Sequence, residues 1–164
     1  MATPAEAAGA VIAEYWTEGV FPVDPVRIAR EMGIEVADAN LPDNVSGALV
    51  KKVGFDPQIL LSPADSPNRK RFSCAHEIGH YVRRAETVTG ADDEYEYVDL
   101  RGALSGQGID QEEVFANQFA ANLLMPEREV RQMVEGNALL VQMMSRFGVS
   151  QDAMRYRLIN LGLG

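Results

Sequence analysis

The sequence predicts an α+β fold: a small three-stranded sheet packed on one central helix, with helices before the sheet and a helical bundle after it. Short segments of β-forming residues are confined to residues 34–62. Apolar residues at helical spacing fill the segments on both sides of that range. A helix that begins near Ser66-Pro67 follows the last strand directly, and three short strands need such a helix on one face.

The composition is that of one soluble globular domain. The chain has 164 residues, of which 46% are hydrophobic and 24% are charged, and this size supports a core without disulfides. We expect a single domain over residues 1–164. Its parts are N-terminal helices in 1–33, the sheet and the metal-binding helices in 34–126, and a helical subregion in 127–164.

The charge and the cysteine content exclude several classes of protein. A net charge of −9 and a pI of about 4.7 argue against broad binding of nucleic acid or of anionic membranes. The single cysteine, Cys74, excludes an internal disulfide and is typical of a reducing compartment. The sequence has no basic leader region and no apolar run of membrane length, so we expect a cytoplasmic protein.

The N-terminal residues predict two helices. Thr3-Pro4-Ala5-Glu6 has the form of a capping box with proline at the first helical position, and Gly19 can end this helix. Asp24-Pro25 begins a second helix, and Gly33 can end it.

Three segments predict the strands: residues 34–36, 46–53 and 58–62. Residues 86–108 are acidic and rich in glycine near their end, and a connection this long is either functional or disordered. Within it, alternate positions 95, 97 and 99 allow a short edge strand that could pair with an extended substrate. An irregular acidic loop is the alternative.

The C-terminal part predicts four helices. Residues 110–125 form the first, and Pro126 ends it. Glycines and a serine cap then separate three more, over 127–135, 138–147 and 151–160.

The pattern His-Glu-x-x-His lies within residues 72–82 and indicates a metal site. On a helix, His76 and His80 lie one turn apart on the same face and can hold one ion, with Glu77 close enough to act on a water molecule. Both histidines of the chain are here, and apolar neighbours predict that they are buried and need partners. The alternative is an exposed His/Glu helix face. Cys74 faces away from His76 and is expected to be a small buried side chain.

A hydrolytic zinc site needs a third protein ligand, and no third histidine exists. Glu113 is the best candidate, because Asn117 lies one turn further on the same helix face and can hydrogen-bond a ligand. Glu112 is the competitor, although it has no such partner. Alternatively, Glu113 only forms a capping box with Asp110.

Other polar residues have less certain roles. A developing oxyanion needs a donor besides the metal, and the candidates for this or for substrate contact are Tyr81, Tyr95, Tyr97 and Arg101. The basic run 69–71 is either a solvated helix face or a contact for substrate or anions.

Two of these motifs together resemble the ImmA/IrrE family of zinc metallopeptidases. The first is Arg71-Phe72-Ser73-Cys74-Ala75-His76-Glu77-Ile78-Gly79-His80. The second is Glu113-x-x-Ala116-Asn117-x-Phe119-Ala120-x-x-Leu123-Leu124-Met125-Pro126. The resemblance extends from about Val23 to the end of the chain. Residues 86–108 have no counterpart from which substrate contacts could be carried over.

The resemblance implies a zincin-like active-site helix and a gluzincin-like zinc metalloendopeptidase. By analogy the Zn²⁺ ligands are His76, His80 and Glu113, and Glu77 is the catalytic acid/base. Members of the family are intracellular regulatory proteases that cleave helix-turn-helix repressors, in stress responses among other settings. The implied partner is therefore a protein substrate of that type, without membrane association and without direct binding of nucleic acid.

Two other functions stay open. Residues 138–160 have the outline of a helix-turn-helix, and Arg146, Arg155 and Arg157 give the C-terminus a local positive excess. A DNA-binding or protein-binding regulator with a structural zinc site is one alternative. A toxin-antitoxin partner is the other.

Overall fold

The computed structural model describes residues 1–87, 94–100 and 110–164 and has the predicted α+β architecture. The elements in chain order are α1 (Pro4–Tyr15), α2 (Pro25–Glu31), β1 (Glu35–Asp38), β2 (Val45–Lys51), β3 (Gln58–Leu61), α3 (Pro67–Thr87), β4 (Tyr95–Leu100), α4 (Gln111–Leu124), α5 (Glu127–Glu135), α6 (Leu140–Phe147) and α7 (Gln151–Asn160). No helix within this described part is both long and apolar enough to cross a bilayer.

The sheet has four strands in the described residues, so the prediction of three was wrong. Their order is β1-β3-β2-β4, with β1 parallel to β3 and the other two pairs antiparallel. The added strand, β4, is the one allowed by the alternation in the acidic segment. Glu96 of β4 and Glu94 just before it are exposed, whereas the alternate positions 95, 97 and 99 are partly or fully buried. Because these inward positions carry two tyrosines and an aspartate, hydrophobicity alone does not reveal the strand.

The N-terminal helices begin where the sequence predicts. Thr3 and Glu6 form the capping box, and Asp24 accepts hydrogen bonds from the backbone of the first turn of α2. Helix α1 ends at Tyr15, earlier than the expected stop at Gly19. The reason is that Trp16 leaves the helical conformation and its indole N–H donates to the carbonyl of Val20.

Helix α3 lies between the sheet and α4 and supplies much of the core. Cys74, Ala75 and Ile78 are fully buried, as are Leu49 of β2 and Ile59 of β3. This arrangement places the predicted metal-binding face of α3 inside the molecule.

Helices α3 and α4 contact each other at their backbones. A Cβ added at Gly79 would lie 3.0 Å from the Cα of Ala116 and 3.1 Å from the ring of Phe119. Only glycine permits this approach, which brings the faces of both helices close enough to share one site.

The C-terminal helices are connected to the end of α4. The buried guanidinium of Arg157 in α7 donates to the carbonyl of Met125 and to the side chain of Asn122, both at 3.0 Å. Helices α6 and α7 are joined through Gly148, whose φ of 64° is left-handed, and through the N-cap Ser150.

Candidate metal centre

Helices α3 and α4 bring together the three residues predicted as metal ligands. The Nε2 atom of His76 lies 3.0 Å from one carboxylate oxygen of Glu113, and the Nε2 atom of His80 lies 2.8 Å from the other. Both histidines are buried, whereas 28% of the Glu113 side chain is exposed. Nε2 of each ring has no hydrogen-bond partner within the described residues.

The ring of His76 is fixed by Asn117, one turn beyond Glu113 on α4. Nδ1 of His76 and Oδ1 of Asn117 are 2.8 Å apart. Because an amide oxygen only accepts, Nδ1 carries the proton of the neutral ring, and the lone pair of Nε2 faces Glu113. This contact leaves Nε2 as the nitrogen of the neutral His76 ring that carries the lone pair.

The ring of His80 is supported by a different kind of contact. Its imidazole stacks on the ring of Tyr97 from β4, with centroids 4.5 Å apart and planes at 15°. Nδ1 of His80 has no hydrogen-bond partner within the described residues. His76 is therefore oriented by a hydrogen bond, whereas His80 is oriented by a ring stack.

Glu77 is buried beside the histidines with an unusual proton affinity. Neither carboxylate oxygen has a hydrogen-bond partner in the described part of the chain. Burial raises the pKa of Glu77 to about 8 in the metal-free protein, and it lies within 4.8 Å of the ring of His76 in a group that also contains Asp99. A carboxylate in such a place can exchange protons near neutral pH.

His76 and Glu113 also have shifted pKa values in the metal-free protein. Burial lowers the pKa of His76, but the Glu113 carboxylate, with Asp99 and Glu77, outweighs burial and raises it to about 9. Burial raises the pKa of Glu113, but the two histidines outweigh it and lower the value to about 2. The positive charge of protonated His76 and the negative charge of the Glu113 carboxylate thus stabilise each other. A metal ion that bound here would displace the proton from His76.

The chain is similar to known proteins over most of its length. The model of the family Peptidase_M78, described as the IrrE N-terminal-like domain, matches residues 29–159. The chain belongs to this family. The radiation response metalloprotease IrrE of Deinococcus radiodurans is 36% identical to it over 113 residues, which covers 63% of this chain and 32% of that protein.

A solved structure shows the same fold at low sequence identity. A Mycobacterium tuberculosis transcriptional regulator aligns over 93% of this chain and 46% of its own, with a TM-score of 0.57 and 17% identity. This chain thus spans about a third of the length of the Deinococcus protein and about half of the length of the Mycobacterium protein.

Sequence reasoning assigned no role to Asp99, which the IrrE-like fold places beside the site. Asp99 is 8% exposed, and its carboxylate lies in one group with Glu77 and His76, within 4.8 Å. Arg69 of α3 donates to Asp99 at 3.1 Å and to the hydroxyl of Ser46 at 3.3 Å. The period-two alternation of β4 was the available signal, since it places residue 99 on the same face as Tyr97.

The remaining candidates are Tyr95, Tyr81 and Arg101. Tyr95 contacts Tyr97 at 5.9 Å between centroids and lies under the guanidinium of Arg84 at 4.1 Å. Tyr81 is among the half-buried side chains that pack on the hydrophobic core. Arg101 lies outside the described residues.

The acidic residues at the start of α4 have different contacts. Asp110 caps α4 through the backbone N–H of Glu112, and the side chain of Glu113 is turned toward the histidines, so the two do not form a capping box. The Glu112 carboxylate lies near Arg83 at 3.4 Å. Cys74 is buried, as expected, and burial raises the pKa of its thiol.

Proposed function

We propose that this chain is a zinc-dependent endopeptidase in which His76, His80 and Glu113 bind the metal and Glu77 is the catalytic acid/base. The convergence of two ring nitrogens and one carboxylate from two helices supports this assignment most directly. The family supports the same class of activity, and its IrrE relative is named a metalloprotease.

The donor atoms fit zinc. Ligand bonds of about 2.0–2.1 Å at tetrahedral angles place two donor atoms about 3.3 Å apart. The nitrogen–oxygen distances of 3.0 and 2.8 Å therefore need to lengthen by only a few tenths of an ångström. Two imidazoles and one carboxylate are a common zinc ligand set in hydrolases, and they leave a fourth position for water.

A second group of donors competes less well for the metal. His76, Glu77 and Asp99 also approach one another within 4.8 Å. Asp99, however, already binds the guanidinium of Arg69, whereas the ring nitrogens facing Glu113 have no hydrogen bond within the described residues. A ligand that must first break an ion pair binds a cation less strongly, which favours Glu113.

The residues around the ion would divide the chemistry of peptide hydrolysis among them. A bound zinc ion lowers the pKa of a water molecule and polarises a carbonyl group. Glu77 would accept the proton of the attacking water and pass it to the leaving amine. Asn117 would keep His76 in the required tautomer throughout.

The sheet offers a place for the substrate. In the order β1-β3-β2-β4, β4 is the last strand of the described residues, and its residue Tyr97 touches His80. An extended peptide paired alongside β4 would pass next to the metal. We propose, from the family resemblance, that the substrate is a transcriptional repressor of the helix-turn-helix type, cleaved in a regulatory response.

Direct DNA binding is the second candidate, and the α6–α7 helix pair is the observation that favours it. Two of the three arginines in that region have other contacts, however. Arg157 is buried and bonded to the end of α4, and the guanidinium of Arg146 lies 4.9 Å from the ring centre of Phe21. The positive charge left for DNA is small on a chain with a net charge of −9.

Comparison of wild-type protein with the Glu77→Gln variant in host cells tests the proposed function. Glu77→Gln should keep its zinc and lose turnover, and Glu112→Gln, a neighbour of the other acidic ligand, should keep both. We expect a new protein N-terminus in one small repressor, present with wild type and with Glu112→Gln only. Turnover retained by Glu77→Gln would contradict the catalytic assignment. Binding to duplex DNA that weakens steeply with salt, without any cleavage, would favour the second candidate.

A further inference from the structure

The two histidines of the candidate site receive unequal support from their surroundings. A metal-binding histidine usually donates its second ring N–H to a carboxylate, a carbonyl or a water, which fixes the ring. His76 does so through Asn117. The second nitrogen of His80 has no such partner among the described residues, and its ring faces that of Tyr97 instead.

We propose that Tyr97 is a positioning residue for His80, which it holds in a ligating orientation through the face of its ring and not through its hydroxyl. This inference rests on the proposed metal site. It assigns to Tyr97 a role other than that of the oxyanion or substrate donor that the sequence suggests.

The geometry of the contact supports the role of the ring. The planes are nearly parallel, at 15°, and the centroids are 4.5 Å apart, which is an offset stack. Such a contact restricts rotation of the imidazole about its Cβ–Cγ bond, because every angle except the present one and its half-turn flip would drive the ring edge into the tyrosine. In a parallel stack, the hydroxyl stays in the plane of its own ring and is not directed at the nitrogens of the other.

Tyr97 is itself fixed, as a positioning residue must be. Its backbone pairs with Leu49, a fully buried residue of the neighbouring strand β2. The inward side chains on either side of it are also anchored on α3. Tyr95 lies under Arg84 at 4.1 Å, and Asp99 binds Arg69 at 3.1 Å.

Three substitutions in the full chain separate the ring from the hydroxyl. Tyr97→Phe keeps the ring, Tyr97→Leu removes it, and Tyr95→Leu removes the neighbouring ring, which lies beyond Tyr97. Zinc affinity would be measured by competition with a chelator, and the visible spectrum of the cobalt-substituted protein would report ligand geometry. Thermal unfolding of the metal-free proteins would show whether each variant folds, and Tyr97→Met would replace Tyr97→Leu if the latter does not.

Tyr97→Leu should lose roughly 10- to 100-fold in zinc affinity, the usual loss when a supporting residue is removed, and its cobalt spectrum should change. Tyr97→Phe keeps the ring and should bind zinc within about twofold of wild type, with an unchanged cobalt spectrum. Tyr95→Leu should resemble Tyr97→Phe.

Wild-type zinc affinity in Tyr97→Leu would overturn the proposal, because the ring would then be packing only. Loss of zinc affinity in Tyr97→Phe would also overturn it, because the hydroxyl would then be required to position His80. His80→Ala and Glu113→Ala serve as references. If both bind zinc as tightly as wild type, the proposed metal site itself is wrong, and that failure is distinct from one confined to Tyr97.

Discussion

The candidate site lies between two unlike walls, α4 on one side of α3 and β4 on the other. Helix α4 approaches α3 at Gly79 until backbones touch, and it presents the polar groups of Glu113 and Asn117. Strand β4 presents the face of Tyr97 and the carboxylate of Asp99, which is paired with a guanidinium.

The two walls therefore constrain the site in different ways. Contacts from α4 are directional, because a carboxylate or an amide oxygen must meet a particular nitrogen at a particular distance. The ring contact from β4 restricts the plane of the His80 imidazole but tolerates small sliding of one ring over the other. We expect loss of the acidic ligand candidate on α4 to change metal binding more than loss of the ring contact from β4. Four variants, two read by zinc affinity and two by stability, probe the contacts that α4 and β4 make with α3.

The largest effect is expected from loss of the acidic ligand candidate on α4. Glu113→Ala should lower zinc affinity by more than about 100-fold, because a ligand contributes more than a residue that only supports one. Metal content after dialysis and chelator competition would measure this. Glu112→Ala removes the adjacent, exposed carboxylate and should bind zinc as wild type does. Equal metal content in both variants would show that α4 supplies no ligand at position 113.

The second-largest effect is expected on protein stability, at the contact between α4 and α3. Gly79→Ala inserts a Cβ within about 3 Å of backbone and ring atoms, and overpacking of this kind costs about 1–3 kcal/mol of unfolding free energy. Gly9→Ala is the matched control, since Gly9 is an exposed position of α1 with nothing within 4 Å of the added atom. That change should stabilise the protein by about 0.5–1 kcal/mol. Urea unfolding would reveal whether the two changes have opposite signs.

A smaller effect is expected from the group that supports His76. Asn117→Ala removes the acceptor of the Nδ1 proton and should weaken zinc binding roughly 10- to 100-fold. Gln118→Ala, one position further and exposed, should leave affinity unchanged. If Asn117→Ala binds zinc as tightly as its neighbour does, the hydrogen bond does not orient the ring.

The smallest effect is expected from the ion pair of β4. Arg69→Gln leaves the carboxylate of Asp99 buried without its cation, so this variant should unfold more easily than wild type. The double variant Arg69→Gln with Asp99→Asn should recover most of that loss, because no charge is then left unpaired. Thermal midpoints at one pH would test this. A double variant that is less stable than Arg69→Gln would mean that Asp99 stabilises the fold through another contact.

The α4 wall was more accessible to sequence reasoning than the β4 wall. His76 and His80 are related by one helical turn, and Glu113 and Asn117 by another, so local periodicity places each pair on one face. What local periodicity does not predict is that α3 and α4 cross at these faces. The family and the α+β class were accordingly predicted and are confirmed. The division of the chain into subregions, and the roles of the site residues, stay predictions.

Strand β4 was difficult to predict because its structure depends on partners that are distant in the chain. Its pairing with β2 joins residues such as Tyr97 and Leu49, and no local pattern specifies that register. The role of Asp99 becomes apparent only when Arg69 of α3 is placed beside it. The early end of α1 was also not predicted, since Trp16 leaves the helical conformation while its indole N–H donates to the carbonyl of Val20 in the following turn.

The placement of ligand candidates on two helices also has a thermodynamic consequence. His80 and Glu113 are 33 residues apart, so an ion bound to both would cross-link the chain reversibly and close a loop of that length. The folded state would then gain free energy with the logarithm of the free zinc concentration, about 2.7 kcal/mol at one hundred times the dissociation constant. The equilibrium between folded and unfolded chain would then shift toward the folded state as free zinc rises.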